Sequence, residues 1–254
     1  MRKRQKFVVT ATLLAVGLWG VQLAPLEWRY GLIALLAATA WVMSAWSLRE
    51  GLGGIEWLTV LLPQVLFTAG VGFFYILLPG YWAARLGVII LFGIGQYALL
   101  LTANIFSVAA FRTIALLRAA CAVGFVMTIL TGFLLFDTIL SFRQPPWVNM
   151  VTVGMAAGLL LLGALWSVEL EEKLNRQVVT YSLWLAGLLG LWAGVISLWP
   201  VTVAVSSLFL TTMLYVYLGI SQHHFSQRLV KRTVWEYVTV GMVVLATMLV
   251  TAGI

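Results

Sequence analysis

The sequence predicts an all-α integral membrane protein, a bundle of about nine transmembrane helices. Apolar residues make up 63% of the 254 positions and charged residues only 9%, and the mean hydropathy is +1.05. The few charges fall between apolar runs of about 20 residues, the length that crosses a hydrocarbon core of about 30 Å. An ordinary soluble domain carries roughly a quarter charged residues. No soluble fold could bury this much apolar surface.

The first predicted span, 7–24, follows the basic cluster Arg2, Lys3, Arg4 and Lys6. That charge resembles a signal peptide. However, Gln22 stands where a cleavage site after Ala24 needs a small residue, and Pro25 follows, so the run reads as a retained span. Spans at 31–48 and 58–78 flank a short turn at Arg49. The fourth, 86–104, starts beside Arg85, and the apolar stretch 104–117 either prolongs it or lies along the interface. The fifth, 119–140, runs from Arg118 towards Arg143, and the sixth, 148–168, from Pro145-Pro146 to Glu169. Trp199-Pro200 separates the seventh, 178–198, from the eighth, 201–220, because the residue before a proline is driven out of helical geometry. The ninth, 234–253, follows Arg228, Lys231 and Arg232. The gaps leave no room for a soluble domain.

Lys and Arg in short loops stay on the cytoplasmic side. With the N-terminus inside, the inner segments hold Arg2, Lys3, Arg4, Lys6, Arg49, Arg112, Arg118, Lys173, Arg176, Arg228, Lys231 and Arg232, and the outer ones only Arg29, Arg85 and Arg143. This places the N-terminus in the cytoplasm and the C-terminus outside. Tryptophan, which prefers the headgroup level, agrees: Trp28, Trp82, Trp147 and Trp199 fall at outer ends, Trp46, Trp57, Trp166 and Trp235 at inner ends. Trp19, Trp41, Trp184 and Trp192 lie within spans and read as packing or lipid contacts.

A shift of 120 residues superposes the first four spans on the next four. Pro25 meets Pro145, Trp46-Ser47 meets Trp166-Ser167, Gly70 meets Gly190, Tyr97 meets Tyr217 and Arg112-Thr113 meets Arg232-Thr233. Two parallel four-helix repeats, 1–118 and 119–233, with a final span at 234–254, would account for this; so would coincidence among hairpins of similar length.

Few polar residues interrupt the spans. Asp137 is the one acidic residue inside an apolar run, and stranding a charge in a bilayer costs at least about 2.5 kcal/mol. It reads either as a cavity-lining carboxylate paired with Arg143, Arg85 or Arg29, or as a carboxylate one turn below the surface. Gln64 beside Pro63, and Gln96 beside Gly93-Ile94-Gly95, mark either a broken-helix transport site or ordinary interhelical hydrogen bonds. Arg228, Lys231, Arg232 and Trp235 form a candidate contact for anionic lipid headgroups. His223-His224 point about 100° apart on a helix and are poorly placed to chelate a metal. Gly154-xxx-Gly158 and Gly190-xxx-Gly194 suit close helix packing within the bundle, or a homodimer interface. Cys121, the sole cysteine, reads as a small packing residue.

No Gly-rich phosphate loop, H-E-x-x-H, paired aspartates or G-x-S-x-G occurs, so no catalytic, cofactor or metal site is expected. The net charge of +7 sits between apolar runs, which points to lipid headgroups and away from nucleic acid.

The stretches Asn104-Ile105-Phe106-Ser107-Val108, Arg112-Thr113-Ile114 and Leu116-Leu117-Arg118-Ala119-Ala120 resemble a multi-spanning membrane-protein family of small-genome bacteria. Leu165-Trp166-Ser167-Val168-Glu169, Trp199-Pro200-Val201-Thr202 and Lys231-Arg232-Thr233-Val234-Trp235-Glu236-Tyr237 share in the resemblance. It implies a bacterial inner-membrane protein and carries over no active-site residues. The shortage of buried charge and the absence of motifs make a non-enzymatic scaffold or membrane-complex component the expected function; the alternatives are a small transporter, flippase or channel, and a lipid-acting membrane enzyme.

Overall fold

The computed structural model describes residues 3–51, 53–78, 80–109, 116–170 and 173–251, and within these the regular structure is entirely helical. Nine helices match the nine predicted spans: α1 Lys3–Val21, α2 Leu26–Leu48, α3 Glu56–Leu77, α4 Trp82–Ala109, α5 Leu117–Ser141, α6 Pro146–Glu169, α7 Arg176–Ile196, α8 Val203–Phe225 and α9 Lys231–Thr251. Eight of them are long and apolar enough to cross a membrane, which makes this a multi-pass membrane bundle. The exception is α1. Lys3, Arg4 and Lys6 occupy its first turn, so its apolar length begins only at Phe7 and ends at Val21. It is nonetheless packed into the fold, burying Phe7, Ala11, Leu14, Leu18 and Val21.

Local chemistry fixes the helix ends. Arg29 donates from Nε to the Ala24 carbonyl and from Nη2 to the Gln22 carbonyl, both at 3.0 Å, satisfying acceptors just past the end of α1. α3 is irregular at Val60-Leu61, just before Pro63, which enters the second helical stretch in its first turn where its missing N–H costs nothing. Asn175 caps α7 by accepting from the Gln177 amide at 3.0 Å. Arg143, Leu170 and Gln227 take left-handed φ values of 49°, 52° and 53° just beyond α5, α6 and α8, positions that usually favour glycine. The fourth span runs through Ala109, so the 104–117 segment begins as a prolonged helix; positions 110–115, with Arg112-Thr113, lie outside the described residues.

The chain forms two compact units, Met1–Thr131 with Leu170–Lys173, and Gly132–Glu169 with Leu174–Ile254. The boundary falls inside α5 and not at 118/119, where the proposed repeats meet. In the first unit α1 packs on α2 and α4, α2 on α3, and α3 on α4. Thr10 and Ser47 share a hydrogen bond of 2.7 Å between α1 and α2, and Phe67 stacks on Phe92 between α3 and α4 at 5.6 Å.

The second unit is built on the α6–α7 pair. A Cβ on Gly190 would lie 2.5 Å from the Met150 carbonyl oxygen and 3.4 Å from Gly154 Cα. A Cβ on Gly158 would lie 3.3 Å from Ala186 Cβ, and one on Gly194 3.4 Å from Met150 Cβ. The two small-residue motifs thus let α6 and α7 approach each other within the chain, the packing role that their spacing allows. α8 covers this pair, and α9 leans on α8 with Tyr237 seated in the notch left by Gly219.

Of the eight tryptophans expected at span ends, seven are exposed or partly exposed and one is buried. Trp28, Trp82, Trp147 and Trp235 are exposed, Trp46 and Trp57 partly so, but Trp166 is only 2% exposed and belongs to the core of the second unit. Burial in that core outweighs its interfacial preference. Among those within spans, Trp192 packs on Phe209 and donates to Tyr217 Oη at 3.0 Å, whereas Trp19, Trp41 and Trp184 face outward.

Candidate functional site

In the first unit, Gln64 and Gln96 are 1% and 0% exposed. Gln64 Nε2 reaches the Leu99 carbonyl at 3.5 Å, a long contact, and Thr68 donates to the Gln64 carbonyl at 2.7 Å. Gln64 Oε1, both side-chain polar atoms of Gln96 and Ser44 Oγ are buried without a hydrogen-bond partner. An interhelical hydrogen bond therefore accounts for one end of Gln64 and for none of Gln96. Stranded polar atoms in a packed interior are uncommon and costly.

At the end of that unit formed by the C-termini of α1 and α3 and the N-terminus of α4, a cavity of about 420 Å³ is lined by Trp19, Gln22, Tyr75, Trp82 and Arg85. Arg85 Nη1 donates to Gln22 Oε1 at 2.6 Å, and Arg29 is held by backbone carbonyls. Two of the three arginines expected as partners for Asp137 are thus engaged locally.

Asp137, in the second unit, is half-buried and accepts a hydrogen bond of 3.0 Å from Ser207 Oγ on α8. Its partner is a hydroxyl and not an arginine. Arg143 instead lines a cavity of about 430 Å³ between the end of α5, the start of α6, the end of α7 and the start of α8. Gln144, Asn149, Ser197, Thr202 and Ser206 give that cavity a polar wall, with Trp199 at its side. Asn149 is 3% exposed; its Nδ2 donates to the Gln144 carbonyl at 3.2 Å and to Ser197 Oγ at 2.9 Å, while its Oδ1 has no partner. Sequence reasoning missed Asn149. Its only signal is an amide in the first turn of a span, and that is also what a helix end at the membrane surface looks like.

The basic segment before and within α9 lies on the surface. Arg228, Lys231, Arg232 and Trp235 are all exposed, and Arg232 pairs with Glu236 at 3.1 Å along the helix. The two histidines turn to different neighbours, His223 to Tyr237 at 6.0 Å and His224 to Tyr181 at 5.7 Å between ring centres. Among the described residues, no three His, Cys, Asp or Glu side chains gather where a metal ion could be held.

An open apolar groove runs along the outer side of the α6–α7 crossing, with Gly154, Gly158, Gly187 and Gly190 among its lining residues. α9 is the least covered span, with 11% of it buried against 33–50% for the other seven candidate spans. The chain matches no family model, no curated protein and no solved structure.

Proposed function

We propose that this chain is a non-enzymatic component of a complex in a bacterial inner membrane, docking a membrane helix of another polypeptide on α9. It would cross nine times, with the N-terminus in the cytoplasm and the C-terminus outside. The observation that carries this reading is the small buried share of α9. Helices in lipid associate through close packing and hydrogen bonds rather than by escaping water. α9 uses one face for this, through Tyr237, Gly241 and Met248, and leaves Trp235, Val240, Met242, Val243 and Val250 exposed. Arg228, Lys231, Arg232 and Trp235 would then hold the start of that helix at anionic headgroups.

Photo-crosslinking in native membranes tests the docking. A reactive residue at Met242 or Val243 should give a discrete protein adduct that one at the exposed Leu183 of α7 does not. An identical lipid-only pattern at all three positions would sink the reading, and an adduct of two copies of this chain would replace it with a homodimer.

The two halves are also proposed to be parallel repeats followed by a ninth, unpaired helix. Supporting this, α2–α3, α3–α4 and α2–α4 contacts in the first unit are paralleled by α6–α7, α7–α8 and α6–α8 contacts in the second. The Arg85 and Arg143 cavities likewise both involve the ends of the first and third helices of their sets and the start of the fourth. A second functional reading, a small transporter or channel, draws on the unpartnered atoms of Ser44, Gln64 and Gln96. Voltage-dependent or solute-dependent flux through reconstituted protein that disappears in Gln96→Leu would favour it over the docking role.

A further inference from the structure

We propose that the Arg85 cavity of the first unit binds the headgroup of an anionic phospholipid. This does not depend on the docking role of α9. It rests on a buried tyrosine whose hydroxyl opens into the cavity, and on lining groups that offer donors without a carboxylate.

Tyr75, in the last turn of α3, lines the cavity and is only 1% exposed. Its hydroxyl makes no hydrogen bond to any described residue, yet it is not among the side-chain oxygens and nitrogens that are wholly sealed in. The little surface that Tyr75 keeps therefore includes Oη, and that surface lies in the cavity wall. A buried tyrosine usually finds a partner for its hydroxyl. Here the partner must come from what the cavity holds.

The neighbouring groups set the charge of that partner. Arg85 Nη1 donates to Gln22 Oε1 at 2.6 Å, and this orients the Gln22 amide. A guanidinium can only donate, so Oε1 must face it and Nε2, a donor, is the end left over. Arg85 Nη2 likewise has no partner among the described residues and is not sealed in. Tyr75 Oη, Gln22 Nε2 and Arg85 Nη2 are thus three free donors on residues of one cavity, and no carboxylate is among its described lining residues. The positive charges of Arg85 and Arg29 both act on the Tyr75 hydroxyl. Donors beside guanidinium charge suit the oxygens of a phosphate.

The rim favours a lipid over a free anion. Trp19, Leu23, Trp82 and Leu86 line the same cavity as exposed apolar side chains on the surface of a membrane bundle. An acyl chain can lie along that surface while its phosphate reaches Tyr75. A soluble phosphoester has nothing to place there. The cavity also stands at the ends of three helices, the level at which headgroups and tryptophan meet. Its volume of about 420 Å³ lies in the range of small-ligand sites, about 300–1,000 Å³.

Native mass spectrometry of the full chain in detergent, offered phosphatidylglycerol and phosphatidylcholine with the same acyl chains, tests this. Choline cancels the phosphate charge, so the wild type should retain phosphatidylglycerol about tenfold better or more. Tyr75→Phe removes a hydroxyl that no described residue uses. It should keep the wild-type melting temperature and lower phosphatidylglycerol occupancy about tenfold, the effect of one hydrogen bond to a charged group. Arg85→Gln should lower occupancy at least as much; because it also breaks the bond to Gln22, it is read where a thermal scan shows a folded chain. Arg143→Gln alters a cation of the second unit and should bind as the wild type does. Soluble glycerol 3-phosphate at about a hundredfold excess should leave the lipid bound. Equal retention of the two lipids by the wild type, unchanged occupancy in Tyr75→Phe, or an equal loss in Arg143→Gln would each overturn the proposal. Displacement by glycerol 3-phosphate would overturn the lipid as occupant and assign the cavity to a free phosphoester.

Discussion

Gly187 and Gly190 stand one turn apart on α7, and together they isolate the energetic weight of the α6–α7 contact. Replacing either with alanine adds a single methyl and, in a helix, recovers up to about 1 kcal/mol of backbone propensity. That gain is common to both and cancels in the comparison. What differs is space: a Cβ on Gly187 meets nothing within 4 Å, whereas one on Gly190 would stand 2.5 Å from the Met150 carbonyl oxygen. The opposing atom is backbone, so no side chain can swing away, and α6 itself must shift. Overpacking of this kind costs about 1–3 kcal/mol. For a chain of this size that corresponds to roughly 2–4 °C of melting temperature per kcal/mol. Thermal unfolding of the detergent-solubilised chain should therefore place Gly190→Ala below Gly187→Ala, by about 3–10 °C. If Gly190→Ala melts at or above Gly187→Ala, α6 and α7 do not pack as described, and the account of the second unit fails with them.

Gln96→Leu removes two buried polar atoms that have no partners, and it should raise the melting temperature by the equivalent of about 1–3 kcal/mol; a clear loss of stability would mean that the amide has partners in the membrane. Arg85→Gln should destabilise by about 1–3 kcal/mol, because it breaks the 2.6 Å bond to Gln22, while Arg143→Gln should leave the melting temperature within about 0.5 kcal/mol of wild type. Equal losses in a thermal scan would refute that distinction. Topology reporters placed after Arg49 and after Arg143 should read cytoplasmic and external, and the same side for both would break the alternating order of the helices.

The spans were legible because each feature that sets them is local. A charge or a proline stands between each apolar run and the next, and the helices start and stop within a few residues of those marks. The glycine spacing at 154/158 and 190/194 was equally readable, since small residues one turn apart present a continuous flat face. What could not be read depends on residues distant in sequence. Asp137 finds Ser207, and nothing about a serine within an apolar run marks it as the partner of a carboxylate on another helix. Trp166 sits at a helix end like the exposed tryptophans, and only the arrangement of its neighbours makes it core. The Asn149 amide is fixed by two acceptors, one of them on the residue that caps the end of α7, a relation no spacing rule encodes. The irregularity at Val60-Leu61 lies in between: Pro63 was visible inside the span expected at 58–78, but not that the break would fall just before it.

The three basic residues that depart from the charge bias join these observations. On the proposed topology Arg29, Arg85 and Arg143 lie in translocated segments, where a cation works against insertion, so each calls for a local reason. Arg29 has one in the Ala24 and Gln22 carbonyls, which would otherwise be left at the end of α1. Arg85 has one in Gln22, whose side chain it reaches across the wall of the first cavity. Arg143 forms no such bond: it stands in a left-handed backbone position that costs a non-glycine residue about 1–2 kcal/mol, and it lines a cavity whose other walls are an uncapped helix start and a fixed amide. Two of the three arginines are explained by the fold they hold together. The third is exposed, where its guanidinium needs no partner from the chain.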